Sequence, residues 1–475
     1  MFTTHTYQDW QATNELERPE YLVRIIKDYK ASADFKAARE GDRYFNATET
    51  EVSRKKVARL RNVPRKTADG KAKSVIAKHD IVGNQVASNF LFRFVTQENQ
   101  FLLGNGVTLD NAELKARLGP GFDTKLQQAG EKALVHGCCW GLWNMDHLEL
   151  LKAADGNLSG FVALLDERTS APMVGIHFWQ ISARRPMYIR LFEADGITEY
   201  TQDQDEIRET APKRAYKQTI ARDVAGEQLV GSDNYGGVLP IIPLYASEDG
   251  RGVLTPDIKS KIDAYDCILS DFADNLDRAN DVYWVLNNFG GTQEDIIATL
   301  AAIQEIKAVA NISDGTGGGS TAEPHTIEVP YQARRNALEL LEKALYADAM
   351  AMNMDEISGG SLTNVAIETA ATNLNLKCDR FEWQIFAFVQ GLLKLIGVES
   401  EEISFKRRVI ANKSEMIADI QAMRQDIDHE TALKLNPYIT QEEIPQIMEN
   451  VAAERMTGAP SVKELERLLK EQNNG

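Results

Sequence analysis

The side chains best suited to chemistry in this sequence are aspartates that recur along one predicted helix, from Pro256 to about Asp281. At about 100° per residue they share one helical face: Asp263, Asp266, Asp271, Asp274, Asp277 and Asp281. At about 1.5 Å per residue the row is more than about 25 Å long, too extended for an acid–base pair, whose two groups must reach one substrate. The row has two interpretations. It is either the solvated face of a surface helix or, when repeated around a symmetric ring, the negatively charged lining of a hole that passes a polyanion without binding it.

No other pattern in the sequence indicates catalysis, a metal site or a cofactor. The glycine-rich stretch Gly315–Ser320 lacks the Lys-Ser/Thr of a phosphate-binding P-loop, so a flexible loop is the better interpretation. The seven histidines never occur at metal-ligand spacing, and no GxSxG nucleophile elbow is present. The four cysteines form neither a CxxC pair nor a disulfide framework, which favours a reducing compartment. The sequence therefore predicts no enzyme activity, catalytic residue, metal or cofactor.

Length and charge restrict the class of protein further. A chain of 475 residues is expected to form two to four domains. The formal net charge of −17 argues against neutralisation of phosphates over the whole surface, but it permits a protein that encloses DNA and lets it slide. The N-terminus has no signal-peptide pattern, and the best apolar run, Trp383 to Val398, is too short and too polar to span a bilayer. We expect a soluble, intracellular protein without a membrane segment.

The elements that must position the aspartates indicate an α+β fold that is mainly helical. Residues 20–136 have mostly helical periodicity. Within this stretch a helix is predicted over Ile81–Leu102, directly after a run of basic residues. The basic run, Arg54–Lys78, holds ten basic residues against one acid. It is interpreted as a solvated loop with helical flanks or, alternatively, as a binding patch for nucleic acid or an acidic partner. Residues 138–245 alternate between turn signals, which predicts a mostly β insertion.

The aspartate helix also has an apolar face, which predicts that it packs against another helix. Its apolar residues recur at steps of four and three: Ile258, Ile262, Tyr265, Leu269, Phe272 and Leu276. A compact strand–helix–strand unit is predicted next, with strands over Val282–Phe289, Ala308–Ile312 and Thr326–Val329 and a helix over Thr292–Lys307. Two further long helices are predicted over Gln332–Met352 and Asn364–Ile396, separated by a break at Ile357–Thr363.

Several stretches, taken in their order and spacing, are similar to those of one known family. They are Asn89–Val107, Leu239–Leu244 followed by Ile258–Asp266, Asp281–Leu286, Thr363–Ile367 and Ile403–Ala432. By these stretches, and over most of residues 20–450, the chain resembles the portal proteins of tailed double-stranded DNA bacteriophages, in the branch typified by siphophages of Gram-positive hosts. The asparagine pairs that the family usually has ahead of its first wing helix are replaced here by the basic Arg54–Lys78 run.

The resemblance implies an α+β, portal-like ring subunit with a wing, a stem, a clip and a crown. The implied regions are a wing over 1–255 (helical over 20–136, mostly β over 138–245), a stem helix over 256–282, a clip over 283–330, a second stem helix over 331–356, a tunnel loop over 357–363, a crown over 364–460 and a C-terminal tail over 461–475.

The resemblance also implies three groups of site residues. The DNA channel would be lined by Asp263, Asp266, Asp274, Asp277 and Asp281. The tunnel loop would comprise Ser358, Gly359, Gly360, Ser361, Leu362, Thr363 and Asn364, for which an ordinary connection between helices is the alternative. The clip interface would comprise Tyr283, Trp284, Val285 and Leu286, buried between subunits because so small a unit has little core of its own.

The implied function is that of a channel at one capsid vertex for DNA packaging and ejection. The implied partners are the other copies in a ring of twelve, double-stranded DNA, the terminase large subunit, a head-completion adaptor, and the scaffolding and major capsid proteins. The implied location is the virion, after synthesis in the host cytoplasm. Two alternatives stay open. One is another phage morphogenesis protein, such as a minor capsid or scaffold-associated component, and the other is a soluble enzyme with a cleft between the β insertion and the helices.

Overall fold

The computed structural model contains separate helical and antiparallel β regions with more helix than strand, which confirms the α+β class. The described residues are 3–66, 72–204, 206–223, 226–279, 283–287, 321–325, 331–354, 364–398, 402–405, 407, 413–423, 427–436, 439 and 444–457. The chain divides into two compact units, one formed by Met1–Ala351 with Lys377–Arg407 and the other by Met352–Leu376 with Arg408–Gly475.

The N-terminal part of the first unit consists of helices whose starts and apolar faces are encoded locally. They are α1 (Tyr7–Ala12), α2 (Arg18–Ala31), α3 (Ala33–Phe45), α4 (Phe90–Leu103), α5 (Ala112–Arg117) and α6 (Phe122–His136), with a 3-10 turn at Glu51–Arg54. Thr6 and Asp9 form a capping box that starts α1. The buried side of α2 carries Leu22, Ile25, Ile26 and Tyr29, the spacing of an amphipathic helix.

Between α3 and α4 the basic run forms a β-hairpin, so the prediction of a loop with helical flanks is wrong. The hairpin consists of the antiparallel strands β1 (Lys56–Lys66) and β2 (Ala72–Val82). The helix predicted over Ile81–Leu102 begins only at Phe90, because Ile81 and Val82 belong to β2. Both residues are β-branched, and such residues favour strands where a short apolar pattern fits either a helix or a strand.

Antiparallel strands form the middle of the first unit. They are β3 (Val107–Leu109), β4 (Cys138–Asn144), β5 (His147–Lys152), β6 (Ala154–Asp155), β7 (Ser159–Leu165), β8 (Pro172–Trp179), β9 (Met187–Glu193), β10 (Gly196–Asp203), β11 (Glu206–Arg214), β12 (Lys217–Asp223), β13 (Gly226–Asp233) and β14 (Ile241–Tyr245). One sheet has the strand order β11-β10-β9-β8-β7-β6, another has the order β14-β4-β5, and β12 pairs with β13. Strands β4 to β14 occupy the stretch in which the sequence predicts a mostly β insertion.

An aromatic core joins the N-terminal helices to the six-stranded sheet. Tyr29 of α2 and Phe35 of α3 pack against Phe178 of β8, with ring centroids 6.3 and 6.5 Å from that of Phe178. All three side chains are fully buried, and the Tyr29 hydroxyl donates a hydrogen bond to the Ala153 carbonyl. These contacts make the sheet and the N-terminal helices one unit, because buried rings of this size remove large apolar areas from water.

Two long helices follow the sheets and pack against each other. They are α7 (Pro256–Ala279) and α8 (Tyr331–Asp348), with β15 (Tyr283–Asn287) and β16 (Thr321–His325) paired antiparallel in the sequence between them. Helix α8 ends before the predicted Met352, and Met350 has a left-handed φ of 50°, which does not continue a right-handed helix. Four predicted segments lie outside the described residues: Thr292–Lys307, Ala308–Ile312, Gly315–Ser320 and Thr326–Val329.

The third long helix belongs to both units. It is α9 (Asn364–Leu395), whose residues up to Leu376 belong to the second unit and whose residues from Lys377 belong to the first. Strand β17 (Ile403–Phe405) pairs with β3 in the first unit, and the second unit also contains α10 (Lys413–Ala422), α11 (His429–Leu435) and α12 (Ile444–Thr457). Within the described ranges, none of the helices combines the length and the apolar character needed to cross a bilayer.

Candidate functional site

The polar face of α7 binds the backbone of residues 83–89, the segment that joins β2 to α4. The Asp266 carboxylate accepts a hydrogen bond from the Ser88 N–H at 2.9 Å, and the Ser270 hydroxyl accepts one from the Val86 N–H at 3.0 Å. Asp274 Oδ1 accepts hydrogen bonds from the N–H of Asn84 at 2.8 Å and from its side-chain amide at 3.1 Å. We call this arrangement, Asp266, Ser270 and Asp274 with residues 83–89, the polar clamp.

The spacing of the polar clamp follows from helix and chain geometry. Its three α7 residues are four positions apart, about 6 Å along the helix axis at 1.5 Å per residue. Its N–H donors belong to alternate residues, which are about 6.5 Å apart in an extended chain. The spacing of the acceptors on α7 and the spacing of the donors on the extended chain nearly match. Residues 83–89 make no regular backbone pairing, and three of their N–H groups, on every second residue, find their acceptors on one face of α7 instead.

Asp266 is buried in the polar clamp rather than placed on a free face. Its exposed fraction is 1%, and its Oδ2 atom has no hydrogen-bond partner among the described residues. Burial, and to a smaller extent the charge of Asp263, raises the pKa of Asp266 to about 6, although the hydrogen bonds from Ser88 oppose this shift. The row of aspartates predicted from the helical period is therefore not one exposed surface in the subunit.

Asp263 lies one turn earlier and is bound to the N-terminal helices. Its carboxylate accepts hydrogen bonds from the Tyr44 hydroxyl and, at 3.0 Å, from Lys259 Nζ. Lys259 Nζ also lies 3.5 Å from the carboxylate of Glu40. Burial and the hydrogen bond to Asp263 raise the pKa of Tyr44, so the phenol stays protonated as the donor. The Asp263 carboxylate therefore binds a lysine and a tyrosine within the subunit.

Asp271, on the same face, binds the chain just before the β-hairpin. Lys55 Nζ lies 2.6 Å from Asp271 Oδ1 and donates a second hydrogen bond to the Cys267 carbonyl at 3.3 Å. The Asp271 side chain is half exposed. With Asp274 bound to Asn84, α7 therefore contacts the chain on both sides of the β1–β2 hairpin.

The apolar face of α7 is buried only at its N-terminal end. Ile258 and Ile262 are 4% and 2% exposed, whereas Leu276 near the other end is 50% exposed. On α8, Leu340 is 69% exposed and Tyr331 is 63% exposed. The predicted packing face of α7 is therefore uncovered at Leu276 in one subunit, and α8 exposes apolar side chains of its own.

Some of the other predicted site residues have a described backbone, and the rest lie outside the described residues. Tyr283, Trp284, Val285 and Leu286 lie on β15, opposite His325, Pro324, Glu323 and Ala322 of β16. Asn364, which the resemblance places in the tunnel loop, is the first residue of α9. Asp277 belongs to α7, and Asp281 and Ser358 to Thr363 lie outside the described residues. In the part of the chain that is described, no group of three or more His, Cys, Asp or Glu residues could hold a metal ion.

The partners of the aspartates were missed from the sequence. They are Tyr44, Lys55, Asn84 and Ser88, all far from α7 in sequence. One signal was present: Asp266, Ser270 and Asp274 continue the four-residue steps of Ile258 and Ile262, so the buried side of α7 turns polar along its length. When the buried apolar stripe of a helix continues as polar residues, those residues indicate a neighbouring segment whose backbone N–H or C=O groups need hydrogen-bond partners.

Comparison with known proteins identifies the family. Residues 26–474 match the model of the family described as phage portal protein, SPP1 Gp6-like. The portal protein of Clostridium phage phiCD119 is 29% identical over 138 residues, which are 29% of this chain and 30% of that protein. The portal protein of Bacillus phage SPP1 is 29% identical over 237 residues, 45% of each chain, so the chain spans less than half the length of both relatives. This chain belongs to the SPP1 Gp6-like family of phage portal proteins.

Proposed function

We propose that this chain is the subunit of a closed ring at one capsid vertex, through which double-stranded DNA enters during packaging and leaves during ejection. The observation that carries the proposal is the family match over residues 26–474. The two relatives compared above are both named portal proteins, which supports the same role for this chain.

Uncovered apolar residues on the two long helices support assembly into a ring. Leu276 on α7 and Leu340 and Tyr331 on α8 are half exposed or more. A soluble subunit that exposes large apolar side chains on neighbouring helices has a surface suited to burial by another protein. In a ring of twelve identical copies, the next subunit would supply that surface.

The acidic helix supports a channel that does not hold the DNA. Each Lys or Arg fixed on a phosphate would add a barrier to sliding, whereas a carboxylate lining repels the duplex and keeps mobile counterions between the wall and the DNA. Asp277 and Asp281 are the main proposed lining charges, and Asp263 and Asp274 would add to the lining although each is also bound within the subunit. Asp266 has a different task in this proposal, because it is buried and holds residues 83–89.

The other regions are proposed from the same family membership. Residues 256–282 and 331–356 would form the stem, 283–330 the clip and 364–460 the crown. The clip, with Tyr283 to Leu286 at its interface, would meet the terminase large subunit and the head-completion adaptor. Ser358 to Asn364 would face the DNA as the tunnel loop, and residues 1–255 would form the wing within the scaffolding and major capsid shell.

Electron microscopy of the full chain, with native mass spectrometry, tests the proposal. We expect closed rings of about a dozen copies with an open centre when the chain is made alone or together with its scaffolding and major capsid proteins. Dimers or open filaments under both conditions would contradict the proposal and favour a minor capsid or scaffold-associated protein instead.

A further inference from the structure

The hairpin of β1 and β2 is a two-stranded ribbon with no third strand. Each strand has 11 residues, about 36 Å at 3.3 Å per residue. In the described part of the chain, each strand pairs only with the other. Two strands alone are marginally stable, and free edges are surfaces on which another chain can bind.

The ribbon is anchored on α7 at both of its ends. Before β1, Lys55 binds Asp271 at 2.6 Å, and after β2, the Asn84 N–H donates to Asp274 at 2.8 Å. The Gln85 side-chain amide donates to the Lys55 carbonyl at 3.2 Å and links the two ends. The base of the ribbon is therefore fixed to the proposed stem helix, so a partner bound along its strands would be tied to that helix.

The ribbon is basic in a chain that is acidic as a whole. Its two strands hold seven Lys or Arg residues against one acid, whereas the net charge of the chain is −17. The strand register places Arg65 directly opposite Lys73, and like charges at opposite positions destabilise a sheet. An anionic partner surface would remove this repulsion.

We infer that the β1–β2 ribbon binds an acidic surface of the adjacent copy of this chain, so that each subunit of the ring holds its neighbour. The inference rests on the ring proposed above. The chain carries both the basic ribbon and a large excess of acidic residues elsewhere, so two copies are complementary in charge. Duplex DNA is the less suitable occupant, because a basic ribbon bound to phosphates would resist the sliding that the channel requires.

Charge reversal of the ribbon in the full chain tests the inference by its effect on assembly. The variant carries Arg59→Glu, Arg61→Glu, Lys73→Glu and Lys78→Glu, and the readout is the concentration for half-maximal ring formation by mass photometry. We expect this concentration to rise about tenfold and its dependence on salt to weaken, because four proposed ion pairs with the neighbouring copy are replaced by repulsion. The matched variant Arg59→Lys, Arg61→Lys, Lys73→Arg and Lys78→Arg keeps the charge and should assemble like the wild type.

A second measurement keeps the inference testable if charge reversal disturbs the hairpin itself. A photo-crosslinking amino acid at Ser74 in the otherwise unchanged chain should yield covalent dimers in assembled rings, joined to an acidic segment of the neighbour. Crosslinks to added duplex DNA in place of dimers would overturn the inference and identify nucleic acid as the occupant. If wild-type rings form but give no crosslinked dimer, and charge reversal does not affect assembly, the inference is overturned and the proposed ring function stands. If the wild type never forms rings, both the inference and the proposed ring function are overturned.

Discussion

Asp266 is the residue at which the helical pattern and the tertiary structure differ most. Counted by period it belongs with the other aspartates of α7, yet it is 1% exposed and bound to the Ser88 N–H. The period of a helix shows which residues share a face, but it does not show that a distant segment brings unpaired N–H groups to that face. The cost of burying this carboxylate is offset only in part by hydrogen bonds to its charged form, since its pKa is still raised to about 6.

Removing the acceptor at Asp266 should cost more than removing only its charge. We expect Asp266→Ala to lower the free energy of unfolding by about 1–3 kcal/mol, because the part-buried Ser88 N–H loses its partner. Asp266→Asn keeps an oxygen acceptor and should cost less than about 1 kcal/mol. Urea unfolding of the full chain measures both changes, with Asp110→Ala, an exposed aspartate outside the polar clamp, as the control. Equal losses for Ala and Asn would contradict the assigned acceptor role.

The raised pKa of Asp266 predicts a specific dependence of stability on pH. The folded pKa of about 6 exceeds the ordinary value of 3.8, so the folded state binds a proton that the unfolded state releases between these values. The contribution of Asp266 to stability is therefore greatest below about pH 4 and is lost as the pH rises through 6. Relative to Asp266→Asn, the wild type should be about 2 kcal/mol more stable at pH 4.5 than at pH 7, at about 1.4 kcal/mol per pKa unit. Urea unfolding of both proteins at several pH values measures this. If the difference in the free energy of unfolding between the wild type and Asp266→Asn does not change with pH, the pKa of Asp266 is not raised in the folded state.

At the scale of elements, long periodic helices were predictable and the hairpin was not. Helix α7 begins at the predicted Pro256, because its four-and-three apolar pattern is long enough to exclude a strand. The β1–β2 hairpin was missed because its basic residues masked a weak alternation, and because strand pairing joins residues that the sequence separates. Its contacts with α7, through Lys55 and Asn84, are set by tertiary structure alone.

The exposed apolar side chains of α7 and α8 predict a loss of assembly without a loss of folding. Leu276→Ser with Leu340→Ser should change the free energy of unfolding of the subunit by less than about 0.5 kcal/mol, since both side chains are at least half exposed. The concentration for half-maximal ring formation should rise at least tenfold, because the apolar contact with the next copy is lost. Leu16→Ser, at a leucine that is 88% exposed outside these helices, is the matched control and should leave assembly unchanged. Normal ring formation by the double variant would exclude this surface from the subunit interface.

At the scale of the whole molecule, family and charge could be inferred from the sequence, but the arrangement of the charge could not. The order of weak motifs from Asn89 to Ala432 indicated a portal protein, and the match over residues 26–474 confirms that family. The net charge of −17 permitted a DNA conduit without showing which acids are free. The structure divides the acids of α7 by task, since Asp266 and Asp274 hold residues 83–89 and Asp271 holds Lys55.

This division decides which residues test the proposed channel. Asp263 and Asp274 are unsuitable for charge reversal, because lysine there would break the contacts with Tyr44 and Asn84 as well as change the field. We expect Asp277→Lys with Asp281→Lys to leave rings intact and to slow DNA packaging severalfold, because fixed cations in the lining would pair with phosphates.

The measurement is the rate of DNA uptake by procapsids that contain the variant ring, with terminase and ATP supplied. Glu15→Lys with Glu113→Lys, at exposed acids on the N-terminal part of the chain, changes the net charge equally and should package like the wild type. Because the proposed barrier is electrostatic, the defect of the channel variant should shrink as the salt concentration rises. A rate equal to that of the wild type at low salt would place Asp277 and Asp281 outside the DNA path, and a defect shared with the control would trace the effect to net charge instead.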